Sequence, residues 1–529
     1  MKSITPRQLK SMLHDGHELA LLDVREAGQF GESHLLFATP LPYSRLEIDV
    51  APLVPRRSAR MVLCDDGVSG VAARALRRLQ SLGYTDVAIL DGGTRAWEAA
   101  GFALFKGVNV PSKTFGELVE HAYHTPRITV GELARMQADG DDIIVVDGRP
   151  YSEYHRMNIP GGICCPNAEL PYRISSLVKS PRTKIIVNCA GRTRSILGAQ
   201  TLINFGVPNP VYALENGTQG WVLAGHELER GASRKYPDRI EDSALPALQA
   251  KARALMERFD IRRVEPREVE RWLAEPDRTT YLLDVRTPEE FQRGSVRGAA
   301  HAPGGQLIQA TDQWVGVRHA RIVLLDDGEL VRAPVVASWL KQLGCDACVL
   351  EGGVRSGVRG TAPAPADLPA LRALSAADLK ALMAAGAAVV LELSSSMAYR
   401  KAHLPGSRWS IRPRVVQDAG KAAPTATIVL VAEDDDVARL AAIDLMDSGH
   451  RDVRLLEGGL GGWTRAGGPV ASSADMPADC DCIDYLFFVH DRHAGNREAM
   501  KQYLAWETGL MAQLDEQDKA TFRVGAPLR

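Results

Sequence analysis

Apolar positions along the chain fall into short runs of about four to six residues, bounded by turn-forming residues, which reads as buried parallel strands rather than as long amphipathic helices. Three kinds of run recur four times each. The first ends in an acid: Leu21-Leu22-Asp23-Val24-Arg25, Val145-Val146-Asp147-Gly148-Arg149, Leu282-Leu283-Asp284-Val285-Arg286 and Val390-Leu391-Glu392-Leu393-Ser394. The second is Met61-Val62-Leu63-Cys64, Ile186-Val187-Asn188-Cys189, Ile322-Val323-Leu324-Leu325 and Ile428-Val429-Leu430-Val431. The third landmark is an acidic turn, Asp91-Gly92-Gly93, Glu215-Asn216-Gly217, Glu351-Gly352-Gly353 and Glu457-Gly458-Gly459, followed at one offset by Trp97, Trp221, Gly357 and Trp463.

One spacing governs all four copies. Asp23 to Cys64 spans 41 residues, Asp147 to Cys189 42, Asp284 to Leu325 41 and Glu392 to Val431 39. Such repetition predicts repeated structural units. After each second run comes a helical segment that ends near Gly83, Gly206, Gly344 or Gly449, as helix C-termini often do. Strands alternating with helices predict an α/β fold: four tandem three-layer modules with parallel sheets over residues 1–105, 125–232, 260–360 and 371–472. Residues 233–259 read as a helical linker, and Thr361-Ala362-Pro363-Ala364-Pro365-Ala366 as a stiffer one. The remainder, 473–529, breaks the spacing and predicts a partly helical extension packed on a module.

Composition narrows the setting. The 529 residues are 45% hydrophobic and 24% charged, an ordinary globular balance. Lys plus Arg number 63 against 65 Asp plus Glu, so no basic field favours nucleic acid or an anionic membrane. The N-terminus lacks the apolar core of a secretory signal, and no run is long enough to span a bilayer, so a cytoplasmic location is the expectation. Eight cysteines are too sparse for a disulfide scaffold and are expected as free thiols.

Cys189 opens the loop Cys189-Ala190-Gly191-Arg192-Thr193-Arg194-Ser195, which leads from a strand into a helix. A tight turn into a helix N-terminus gathers backbone N–H groups and the positive end of the helix dipole. Arg192 and Arg194 are expected to add charge, favouring a thiolate and an anionic sulfur species. The equivalent loop at Cys64, Cys64-Asp65-Asp66-Gly67-Val68-Ser69-Gly70, carries two acids and no arginine, so that thiol is at most a second nucleophile or a relay. Leu325 and Val431 cannot carry sulfur, and their modules read as structural or as partner surfaces. Asp147 and Glu153 read as structural partners of arginines or turns. Cys345-Asp346-Ala347-Cys348 and Cys480-Asp481-Cys482 have suggestive spacing without a second ligand pair, so no metal is expected. Cys164-Cys165 are weighed as resolving thiols.

These landmarks resemble the rhodanese family, in which a six-residue loop beginning at the cysteine carries the transferred sulfur. Related phosphatases of this fold have five residues between cysteine and arginine. Here four, Ala190 to Thr193, separate Cys189 from Arg194, and position 195 is Ser. The resemblance implies a sulfurtransferase without cofactor, moving sulfane sulfur from a small donor such as thiosulfate through a Cys189 persulfide to a thiol, cyanide or protein acceptor. It assigns Ala190, Gly191, Arg192, Thr193, Arg194 and Ser195, with Arg149 assisting, to substrate binding. A binding or regulatory scaffold with weak or no catalysis is the alternative, given the degenerate loops.

Overall fold

The computed structural model describes residues 2–420 and 426–525; residues 421–425 of the fourth module and 526–529 of the C-terminal extension lie outside it. Each repeat forms one five-stranded sheet, and all four sheets share one strand order. In the second module the strands run, edge to edge, Arg127–Ile128, Val211–Leu214, Lys184–Asn188, Ile143–Asp147 and Ile163–Cys164. Every hydrogen-bonded neighbour in that sheet is parallel. The runs lack a polar alternation because both sheet faces are covered: Ile185 and Val187 enter one apolar cluster while Ile186, between them, enters another. The acid of the first landmark closes its strand in every copy, at Asp23, Asp147, Asp284 and Glu392.

The modules are not beads on a string. A single apolar core runs through Leu22 and Leu63 of the first, Val146 and Ile185 of the second, and Leu283 and Leu324 of the third, whereas the fourth keeps its own clusters. Buried arginines join the modules in pairs. Arg332 of the third, fully buried, bonds Glu169 of the second at 3.0 Å while also holding Glu290 and Asp327. Arg412 of the fourth, equally buried, bonds both Glu47 oxygens and the Tyr43 carbonyl of the first.

Two segments outside the repeats complete the packing. The helix Val110–Tyr123, between the first two modules, packs on the helix Thr193–Asn204 so closely that a Cβ at Gly116 would meet Thr193 Cγ2 at 2.8 Å. The C-terminal extension, with helices Phe487–His490, Arg497–Gly509 and Glu516–Lys519, touches all four modules rather than one. Its contacts include Ile483 O with Gln29 N, Asp484 with Ser396 N, Arg497 with the Val222 and Leu223 carbonyls, and Arg523 N with Gln342 O. The 233–259 segment contains the helix Leu245–Arg258, and 361–366 has no regular structure. No helix among the described residues is long and apolar enough to cross a membrane.

The acidic-glycine turn has a geometric cause. Gly217, at φ +53°, lies so near the cysteine loop that a Cβ would stand 2.2 Å from the Cys189 carbonyl oxygen. Gly93, Gly353 and Gly459 abut the matching loops in the same way. The tryptophan six residues past the acid is buried in three modules, and its indole N–H donates to a carbonyl six residues further on.

Two outcomes are expected. Arg332→Ala leaves three carboxylates facing a buried void, so denaturant unfolding of the second and third modules should lose about 3–5 kcal/mol. Gly217→Ala combines a left-handed backbone with a collision against the loop and should cost on the order of 1–3 kcal/mol in the same measurement.

Candidate functional site

Cys189 stands at the carboxyl end of the strand Lys184–Asn188, in the interior of the parallel sheet, where such folds place ligands. Loop carbonyls are drawn toward the neighbouring helix: Thr218 N–H donates to Cys189 O at 2.9 Å, and the Gln219 backbone and side-chain amides both donate to Ala190 O, at 3.2 and 3.0 Å. The helix then begins at Thr193. Among the described residues, the backbone N–H groups of Gly191, Arg192, Thr193 and Arg194 have no acceptor. Cys189 is 2% exposed, and its Sγ lies 3.6 Å from Ser195 Oγ, which donates to Arg192 O at 2.8 Å. The serine oxygen is thus the acceptor of the Cys189 S–H.

Each arginine assigned to the site carries a carboxylate partner. Arg194 donates both terminal nitrogens to Glu153 at 2.8 Å. Burial pulls its pKa down, yet Glu153 and the nearby Cys189 together hold it above the usual arginine range. Arg192 grips Glu117 through two bonds of 2.7 and 2.8 Å and Glu120 through a third. Burial opposes its charge as well, and these glutamates outweigh it. Arg149 is 1% exposed, bonds both Asp147 oxygens and the Met157 carbonyl, and shares Asp147 with Asn188 Nδ2. Arg25–Asp23 and Arg286–Asp284 repeat the same fork in modules one and three, so the pair braces the strand end wherever it occurs.

A further carboxylate arrives from the far end of the sequence. Glu507 accepts a 2.7 Å hydrogen bond from Thr193 Oγ1 and lies 3.5 Å from Lys113 Nζ. Burial would raise its pKa, but Lys113, Thr193 and two arginines hold it below the carboxylate range. Its second oxygen, which has no hydrogen-bond partner, faces Gly191, where a Cβ would approach it to 3.0 Å.

The other loops are closed differently, and the strand register corrects the expected equivalence: Cys64, Leu325 and Val431 align with Asn188, the last strand residue, so Asp65, Asp326 and Ala432 stand where Cys189 does. Asp65, next to Cys64, accepts from Gly67 N at 2.8 Å and Ala72 N at 3.0 Å, while Asp66 takes the N–H groups of Val68 and Ser69. Asp326, next to Leu325, accepts from Gly328, Leu330, Val331 and Ala333. In modules one and three, then, a carboxylate of the chain itself fills the cradle that is open at Cys189. Burial drives the Cys64 thiol well above its usual pKa, and Asp23, Asp65 and Asp66 push it further against the opposing Arg25. At Val431, Asp434 caps the following helix through Asp436 N.

The remaining cysteines lie apart from this loop. Cys164 sits on the edge strand, two strands from Cys189, with its pKa pushed up to about 12 by burial and by Asp147; Cys165 is buried beside it and pushed up by the same loss of solvent. All eight thiols are free, including Cys345, Cys348, Cys480 and Cys482. Among the described residues there is no cluster of three or more His, Cys, Asp or Glu side chains that could hold a metal.

Sequence reasoning located the loop, Asp147 and Glu153, but missed Glu117, Glu120, Lys113 and Glu507, which lie outside the repeats. The i, i+3 pair of glutamates in an amphipathic segment just ahead of the second module is the signal that would have pointed to the first two.

The family model described as rhodanese-like domain matches residues 5–100, 129–224, 265–358 and 375–466. A crystal structure of thiosulfate sulfurtransferase from Pseudomonas aeruginosa superimposes with a TM-score of 0.90 at 41% identity, over 99% of both chains. The probable adenylyltransferase/sulfurtransferase MoeZ of Mycobacterium tuberculosis is 32% identical over 96 residues, 18% of this chain and 24% of that protein. A probable 3-mercaptopyruvate sulfurtransferase of Pseudomonas aeruginosa is 51% identical over 53 residues, 10% of this chain and 19% of its own length. The chain thus spans only about a fifth to a quarter of those two curated relatives. Four sheets of one topology, the shared spacing and these matches agree, and the chain belongs to the rhodanese family, with four rhodanese-like domains in tandem.

Proposed function

We propose that the chain is a sulfurtransferase that carries sulfane sulfur on Cys189. The observation that bears most weight is the open cradle: four loop N–H groups without acceptors around the thiol of the second module, where modules one and three hold their own aspartate. An anion bound there satisfies those donors, and a persulfide terminus or the sulfane end of thiosulfate has the required charge. The Pseudomonas aeruginosa neighbour named thiosulfate sulfurtransferase supports the same reading over nearly the full length.

In the first half-reaction the Cys189 thiolate attacks the sulfane sulfur of thiosulfate. A new S–S bond forms at Sγ, the old S–S bond breaks, and its electron pair leaves with sulfite. In the second, a nucleophilic acceptor attacks the outer sulfur and Cys189 departs as thiolate, completing a ping-pong cycle. Ala190 to Ser195 form the cradle, with Ser195 Oγ placed to accept the Cys189 S–H. Arg194, beside Cys189, supplies local positive charge, and Arg192 and Arg149, tied to carboxylates, hold the loop and strand end in place. Modules three and four serve as scaffold: the third shares the core that positions the catalytic loop, and the fourth braces the first.

Incubation with thiosulfate should add one sulfur atom to the wild-type protein and to Cys64→Ser, seen by intact mass, and thiocyanate should form when cyanide is added. Cys189→Ser should gain no sulfur and lose activity by at least roughly 10³-fold, as expected when a covalent nucleophile is removed. Sulfur loading that survives Cys189→Ser and vanishes in Cys64→Ser would transfer the role to the first module. A wild-type protein that takes up sulfur from no donor would favour the scaffold reading.

A further inference from the structure

Beside the open cradle lies a cleft of about 360 Å³, with Ala190 on one wall, Gln219 next to it, and Arg230 and Arg492 among the residues around it. Its volume falls in the range of small-molecule sites, larger than a cradle for one sulfur requires. Arg492 comes from the C-terminal extension, outside the four repeats.

The charges of this cleft differ from those of the loop. Arg192 and Arg194 are each matched by glutamates, so they offer little charge to a second ligand. Arg230 forms no ion pair among the described residues, and Arg492 makes no ion-pair contact there, although its charge reaches buried Glu507 and helps lower that carboxyl's pKa. The Arg492 guanidinium stacks 3.5 Å from the centre of the Tyr503 ring, spends Nε on the Val489 carbonyl at 3.0 Å, and has its terminal nitrogens left over. His226 and a single acid, Glu227, also line the cleft, which leaves a net positive wall. Gln219, 4% exposed, bonds Ala190 O through Nε2 and keeps an Oε1 with no partner.

We infer that this cleft is the acceptor site and that Arg492, with Arg230, selects an organic thiol bearing carboxylates. The inference rests on the sulfurtransferase reading and adds the class of acceptor and the residues that choose it. The acceptor's thiolate enters toward Ala190 and attacks the outer sulfur of the Cys189 persulfide. The bond between that sulfur and Sγ breaks, a new S–S bond forms on the acceptor, and Cys189 leaves as thiolate. The negative charge of the persulfide terminus leaves with the product, Cys189 keeps the charge the acceptor thiolate brought, and no outside oxidant or reductant is needed. The carboxylates meanwhile lie against the two guanidinium groups, which bind planar oxyanions through paired N–H donors.

The test uses full-length protein loaded with thiosulfate and two acceptors, mercaptosuccinate, which carries two carboxylates, and neutral 2-mercaptoethanol. In Arg230→Ala/Arg492→Ala the ratio of kcat/KM for mercaptosuccinate over 2-mercaptoethanol should fall by about tenfold per arginine lost, the scale of a hydrogen bond to a charged group. Both arginines are at the surface of the cleft, and unchanged far-ultraviolet circular dichroism confirms folding. Calorimetry with succinate, which has no thiol, reads the cleft alone: binding to wild type and its loss in the variant support the inference. An unchanged acceptor ratio overturns it while leaving sulfur transfer intact. Succinate binding that depends on both arginines, in a protein that never takes up sulfur, would instead sink the sulfurtransferase reading and keep an anion cleft.

Discussion

Where a parallel strand gives way to a helix, several backbone N–H groups converge with no carbonyl in reach, and a buried donor left unpaired costs about 1–3 kcal/mol. Much else in this protein follows from how each module answers that demand. Modules one and three use an aspartate as the first loop residue, and Asp65 and Asp326 accept the converging donors. Module four starts its helix with the side chain of Asp434. Module two has Cys189 itself at that point and no acid in the loop that follows, which leaves the converging donors without an acceptor beside the thiol.

An open cradle has to be kept in shape by its surroundings. The glycine turn at Gly217 presses on the Cys189 carbonyl, Glu117 and Glu120 restrain Arg192, Glu153 restrains Arg194, and Glu507 holds Thr193. Preorganised dipoles of this kind stabilise charge without rearranging when it appears. The shared core of modules one to three extends the restraint outward, since the helix after Cys189 is packed by elements from beyond its own module.

The repeat architecture was legible because every module buries both faces of its sheet and needs the same close turn, which forces apolar runs and glycines onto a common spacing. Cys189 was legible for a related reason, as the one thiol followed by a loop without acids. The role of Asp65 was half legible: its charge was visible at once, but its place inside the cradle depends on a fold of the loop that spacing does not show. Glu507 and Arg492 were illegible because they reach the loop across 314 and about 300 residues of chain, contacts that leave no local pattern. The charge of Arg192 and Arg194 was likewise visible, as was a carboxylate partner in Glu153, whereas the pairing of Arg192 with Glu117 and Glu120 was not.

The bond from Thr193 to Glu507 also has a temporal meaning. Domains form as the chain leaves the ribosome, N-terminal parts first. The second module can acquire its sheet early, yet the carboxylate that steadies its loop is translated only after all four modules. The loop of Cys189 therefore reaches its finished surroundings only once Glu507 has been made. The extension ties the shape of the Cys189 loop to residues translated about 300 positions later.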